Sequence, residues 1–129
     1  MLAPREETAA APQPSRVMLL ARDRAAQILF ALALLGNLAL FAYLSARFDA
    51  LPDPLPLHFD AAGLADRIEA KSGIFGLPII GALVLGVNSA LGLLAHRRER
   101  AATLFLLMGA LIVQILLWLA VNSIIGGLL

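Results

Sequence analysis

The residues best suited to chemistry in this chain are His58, Asp60 and Asp66, gathered in the polar stretch LPDPLPLHFDAAGLADRIEAK over positions 51–71. An imidazole titrates near neutral pH, which makes His58 the natural candidate for a proton-handling or metal-binding group. With two carboxylates close in sequence, a His/Asp/Asp set is a conceivable site for a divalent cation. The spacing argues against it. No HxxxH or HExxH pair accompanies His58, so the two carboxylates share a single imidazole. The better reading is structural: His58 hydrogen-bonds a carboxylate or a backbone carbonyl and locks the loop over the elements beside it. Ser45 and Ser72 lack the elbow-like setting that activates a serine nucleophile. Cys is absent, which removes thiolate catalysis, disulfides, haem attachment and soft-metal clusters. The chain is therefore expected to be no enzyme and to hold no metal and no cofactor.

The backbone around these residues carries its own instructions. Pro52, Pro54 and Pro56 alternate, each fixing its own φ and pushing its predecessor toward extended geometry. Alternation with Leu55 and Leu57 then places His58 and Asp60 on one face of an extended strand. Gly63 permits a turn. From Leu64 to Ala70 the sequence predicts a short interfacial helix with Asp66, Arg67, Glu69 and Lys71 facing outward.

What must position this loop is membrane-spanning. The chain is 60% hydrophobic and 15% charged, with a mean hydropathy of +0.86, whereas a soluble domain is about 45–50% apolar and about 25% charged. The charges cluster in the gaps between three long apolar runs, 25–46, 74–95 and 101–125. Roughly 20 helical residues cross a hydrocarbon core of about 30 Å, and each run is long enough. The expected fold is an all-α integral membrane protein in which three transmembrane helices form a single domain over 25–129. A structured Pro/His/Asp/Gly loop joins the first helix to the second. Residues 1–24 read as a flexible Pro- and Ala-rich tail followed by an interfacial segment at 17–21, without the pattern of a cleavable signal peptide. The chain is expected to end with the third helix, after the stop at Gly126-Gly127. Tyr43 suits an interfacial anchor.

Within the runs the polar residues are amides: Asn37, Asn88, Gln114 and Asn122. No ionisable residue lies between the helix ends, which argues against a proton-driven transporter. The amides read as interhelical hydrogen-bonding groups, each worth about 0.6–2 kcal/mol. Membrane lipid and other integral membrane subunits are the expected partners. A net charge of +1 offers no basic field for nucleic acid. Arg16, Arg22 and Arg24 precede the first helix, and Arg97, Arg98 and Arg100 lie around the turn between the second and third. By the positive-inside rule the N-terminus is cytoplasmic, while loop 47–73 and the C-terminus are extracytoplasmic, in the cell membrane.

The pattern Leu51-Pro52, Pro56-x-His58-Phe59, Gly63, Asp66 and Lys71, set between two membrane helices, resembles the signature of a bacterial and archaeal membrane domain of unknown function. That domain forms the N-terminal half of SdpI-type immunity proteins, which protect spore-forming bacteria against a secreted killing-factor peptide. It also stands alone in short membrane proteins. Pro56, His58, Phe59, Asp60, Gly63, Asp66, Lys71 and Pro78 all have counterparts in the family pattern, and the resemblance covers about residues 28–95. After Asp66 the family has a Gly-aromatic-Gly type of run, where this chain has Arg67-Ile68-Glu69-Ala70. That departure suggests a short helix or an altered contact surface. Complete immunity proteins carry a second half that this sequence lacks. Two functions follow as expectations: a non-catalytic accessory subunit of a larger membrane complex or, alternatively, an immunity or signalling module that senses an extracytoplasmic peptide through loop 51–71.

Overall fold

The computed structural model describes residues 13–126. The tail expected at the N-terminus lies outside the described residues for positions 1–12, as does Gly127 of the C-terminal stop. A short helix α1 (Arg16–Arg22) opens the described chain, its first turn capped by Ser15, whose hydroxyl accepts from the Met18 amide. Asp23 ends α1 and starts α2 (Arg24–Arg47) by accepting from the amides of Ala25 and Ala26. These two amides are among the donors that a helix start leaves unpaired.

Three helices among the described residues are long and apolar enough to cross a membrane: α2, α3 (Gly76–Ala95) and α4 (Arg100–Gly126). At 1.5 Å per residue the 24 residues of α2 reach about 36 Å. A tight turn over 96–99 folds α4 back against α3, so those two form an antiparallel hairpin. Small residues set the closeness of the approach. Ala33, Leu85 and Ala110 meet at mid-depth in a thin apolar cluster, and lower down the Thr103 hydroxyl donates to the Gly92 carbonyl at 2.9 Å.

Between α2 and α3 the chain forms a β-hairpin. After a short 3₁₀ turn, Phe48–Ala50, strand β1 (Leu55–Phe59) pairs antiparallel with β2 (Ala65–Glu69), and a second 3₁₀ turn, Lys71–Phe75, leads into α3. The helix predicted over Leu64–Ala70 is therefore corrected to a strand. The segment ADRIE spaces its charges as a helix surface would, but a two-turn helix has few hydrogen bonds to offset its nucleation cost. Pairing with the proline-stiffened β1 supplies a ladder that five isolated residues cannot make for themselves.

The largest apolar cluster sits under this hairpin. Leu51 and Leu55, 5% and 0% exposed, press onto Leu40, Leu44, Ile74, Val121, Ile124 and Ile125 from α2, α4 and the second 3₁₀ turn. Tyr43 and Trp118, with rings 5.5 Å apart, pack at its edge, and the Arg47 guanidinium lies 5.5 Å from the Tyr43 ring. The hairpin is thus fastened to one end of the bundle by its own leucines.

Candidate functional site

The turn of the hairpin is built by Asp60. Its Oδ1 accepts from the amides of Ala62 and Leu64 at 2.8 and 2.9 Å, and its own amide donates to the Leu64 carbonyl. Gly63 takes φ +78°, the left-handed region that L side chains rarely adopt. Asp60 and Gly63 therefore form one device that reverses the chain. The expectation that Asp60 shares a strand face with His58 is corrected. Asp60 follows the end of β1, and its carboxylate turns back to local amides, as Asp does in Asx turns.

His58 finds its carboxylate in Asp66, with Nδ1 2.5 Å from Oδ1. The register explains how. Leu55 opposes Glu69, Pro56 opposes Ile68, His58 opposes Arg67 and Phe59 opposes Ala65. Leu57 on β1 and Asp66 on β2 are left without partners, each an extra residue in the ladder. Such bulges bend a strand and re-aim side chains, and the one at Asp66 brings its carboxylate to the residue beside its strand neighbour's partner. Arg67 then donates from Nε to Glu69 at 2.6 Å. Both pairs are largely solvent-exposed, with the His58 side chain 65% accessible.

Lys71 departs from its expected outward position. Its amide donates to Asp53 at 3.2 Å, and its ammonium folds back to donate to the Phe48 carbonyl and sit 4.7 Å from the Phe48 ring centre. Phe48 stacks at a tilt on Phe75, and Phe75 on Phe41. Lys71 therefore ties the exit of the hairpin to the end of α2 by hydrogen bonds and a cation–π contact. Asp53 was not singled out by sequence reasoning; its Pro-flanked setting signals a turn but not a partner 18 residues on. Pro56 is half-buried in β1, and Phe59 is the last residue of that strand.

The hairpin leaves two features open to the outside. Every residue of β2 but Glu69 is exposed, β2 has β1 as its sole strand neighbour among the described residues, and the apolar side chains of Leu64 and Ile68 are 67% and 60% accessible. Beneath it lies a cleft of about 220 Å³. Its rim is polar, with His58, Arg67 and Glu69, and its floor is apolar, with Leu57, Leu77 and Ile80.

Inside the bundle two of the four amides meet. Asn37 on α2 donates to the Pro78 carbonyl at 3.0 Å and to Gln114 Oε1 at 3.1 Å, and Gln114 on α4 donates to the Gly81 carbonyl at 3.0 Å. The triangle joins all three spans at one level. A Cβ at Gly81 would press on Asn37 Nδ2 and Gln114 Oε1, so a larger residue here forces the amide pair to shift. Asn88 is half-buried and Asn122 exposed, and neither side chain forms a hydrogen bond among the described residues. The interhelical role is seen for Asn37 and Gln114 and not for these two. Trp118, not singled out by sequence reasoning, donates from its indole to the Gly36 carbonyl at 2.9 Å.

At the opposite end of the bundle Asp23 acts again. Beyond capping α2 it accepts from Arg100 at 2.5 Å (Nε) and 3.0 Å (Nη2). The Arg100 hydrogen bonds, with help from the two capping amides, overcome partial burial and hold the Asp23 carboxyl down at about 2, below its usual 3.8. Sequence reasoning did not single out Asp23; an Asp just before a helical run is the signal that could have found the cap, but nothing local encodes its pairing with the start of α4.

Residues 28–82 match the model of a domain of unknown function (DUF1648), the domain of the N-terminal region of SdpI-type membrane proteins. The matched segment runs from α2 through the whole hairpin into α3, and agrees with the resemblance carried by Pro56, His58, Gly63 and Asp66. No characterised protein and no solved structure matches the chain.

Proposed function

We propose that this three-span membrane protein is a non-catalytic recognition module that binds an extracytoplasmic peptide on its hairpin, as an immunity or signalling component of SdpI type. The observation that carries the reading is the open side of β2. An exposed strand with one neighbour and free edge groups is a template for an incoming extended peptide, whose main chain adds to the sheet while alternate side chains seek pockets. The cleft below, polar at its rim and apolar at its floor, suits one such side chain. The match to DUF1648 supports the same reading, because that domain occurs in proteins that answer a secreted peptide. Orientation follows the arginines: the end holding Arg22, Arg24, Arg97, Arg98 and Arg100 is cytoplasmic, and the hairpin is extracytoplasmic.

The test is direct. The protein in nanodiscs is titrated into a fluorescently labelled, synthetic killing-factor peptide, and anisotropy is followed. Saturable binding is expected, weakened about tenfold, or about 1.4 kcal/mol, by Ile68→Asp together with Leu64→Asp. Absence of saturable binding, or binding that ignores both substitutions, overturns the reading. The rival role of accessory subunit is tested by purification from native membranes in a gentle detergent. Stoichiometric recovery with one large complex would favour it over peptide recognition.

A further inference from the structure

The end of the bundle remote from the hairpin carries a second site. An open cavity of about 600 Å³ lies between the start of α2 and the α3–α4 turn, with Arg22, Arg24, Arg97, Arg100, Asp23 and His96 in its wall. Four guanidiniums face one carboxylate, and that carboxylate is already taken by Arg100. Arg22, Arg24 and Arg97 are exposed and form no hydrogen bond or ion pair among the described residues. His96 supplies an independent sign of an unfilled need. Its side chain is 7% exposed, its Nε2 stands 3.8 Å from Asp23, beyond hydrogen-bond reach, and its buried Nδ1 has no partner. Buried polar atoms are rarely left this way in a folded protein.

Directly inward, toward the membrane, begins a second cavity of about 320 Å³. The walls of the two are consecutive: Leu19 and Ala25 border the first, Leu20 and Ala26 the second. Its lining is almost wholly apolar, with Phe30, Leu93 and Leu107 prominent. We propose that these two cavities form one binding site for an anionic phospholipid of the surrounding membrane, its phosphate held by Arg22, Arg24 and Arg97 and an acyl chain laid between Phe30, Leu93 and Leu107. Basic pockets at the ends of membrane helices recognise anionic headgroups by this charge logic. The groove decides the source of the phosphate: a soluble anion fills the upper cavity and leaves the apolar one empty, whereas a phospholipid occupies both. Guanidinium forks suit phosphate oxygens, and Arg97 and Arg24 approach from different helix ends, which fixes the headgroup from two sides.

The protein purified in mild detergent is exposed to phosphatidylglycerol, to phosphatidylcholine and to inorganic phosphate, and bound lipid is counted by native mass spectrometry. One phosphatidylglycerol per chain is expected, retained at least about tenfold better than phosphatidylcholine and not displaced by millimolar phosphate. The double variant Arg24→Gln, Arg97→Gln, whose side chains bond to no described residue, should lose that preference while keeping its elution profile. Phe30→Ala should weaken retention of both lipids without altering the preference. Arg47→Gln, at the far end of the bundle, should leave lipid retention and the preference for phosphatidylglycerol unchanged. Equal retention of the two lipids, full displacement by inorganic phosphate, or an unchanged preference in the Arg24/Arg97 variant would each overturn the site.

Discussion

At the scale of single residues, the chain separates polar side chains that join helices from those that decorate them. Gln114 holds two links at once, to Asn37 and to the Gly81 carbonyl. Replacing it with Leu removes both and is expected to lower stability by about 0.6–2 kcal/mol, read from reversible unfolding in mixed detergent micelles. Asn122→Leu, at an exposed position without a partner, should stay within about 0.5 kcal/mol. Gly81→Ala should cost more than the loss of Gln114. Its new methyl group presses on Asn37 Nδ2, Gln114 Oε1 and Leu117 Cδ1 together, so it displaces both ends of the amide pair as well as the leucine. Sequence alone identified all four amides as a class, because an uncharged polar group within an apolar run is conspicuous. Which of them meet depends on the rotation of each helix about its axis, and the apolar residues here surround every face and give that rotation no clear sign.

At the scale of elements, the hairpin and the capped start of α2 each depend on one aspartate. Asp60→Ala removes the acceptor for two amides, and Gly63→Ala forces a side chain into left-handed backbone at a cost of about 1–2 kcal/mol. Both should speed amide exchange over 55–69, with Gly63→Asn milder than Gly63→Ala, because Asn tolerates that conformation. For Asp23 the sign follows from its depressed folded pKa. The stability it contributes is whole above the usual 3.8 and is lost as pH falls through about 2. The thermal midpoint should drop across that window, and Asp23→Ala should flatten this part of the profile while costing about 0.5–2 kcal/mol at neutral pH. The proline spacing announced an extended segment and Gly63 announced a turn. The second strand stayed hidden because its charges imitate a helix and its true determinant is a partner strand. Likewise, His58 was expected to bond a carboxylate or a backbone carbonyl, and a bulge that no local pattern encodes selected Asp66.

At the scale of the whole molecule, three spans were legible because charges cluster outside apolar runs of sufficient length. Their orientation is testable with the sequence's own composition. There is no Cys to remove, so Ser72→Cys and Arg98→Cys, both at exposed positions, report directly. A membrane-impermeant maleimide should label position 72 in intact cells and position 98 only after permeabilisation; the reverse pattern would invert the orientation. The amide triangle also sets an order of events in biogenesis. Asn37 enters the bilayer with the first span, while its partner Gln114 lies 77 positions further along the chain. At about 5–20 residues per second of synthesis, the ribosome needs roughly 4–15 s to deliver it. The second span brings Asn37 its first partner, the Pro78 carbonyl 41 positions on, and the bond to Gln114 forms only when the third span arrives. Completion of the third span is thus the step that closes the triangle.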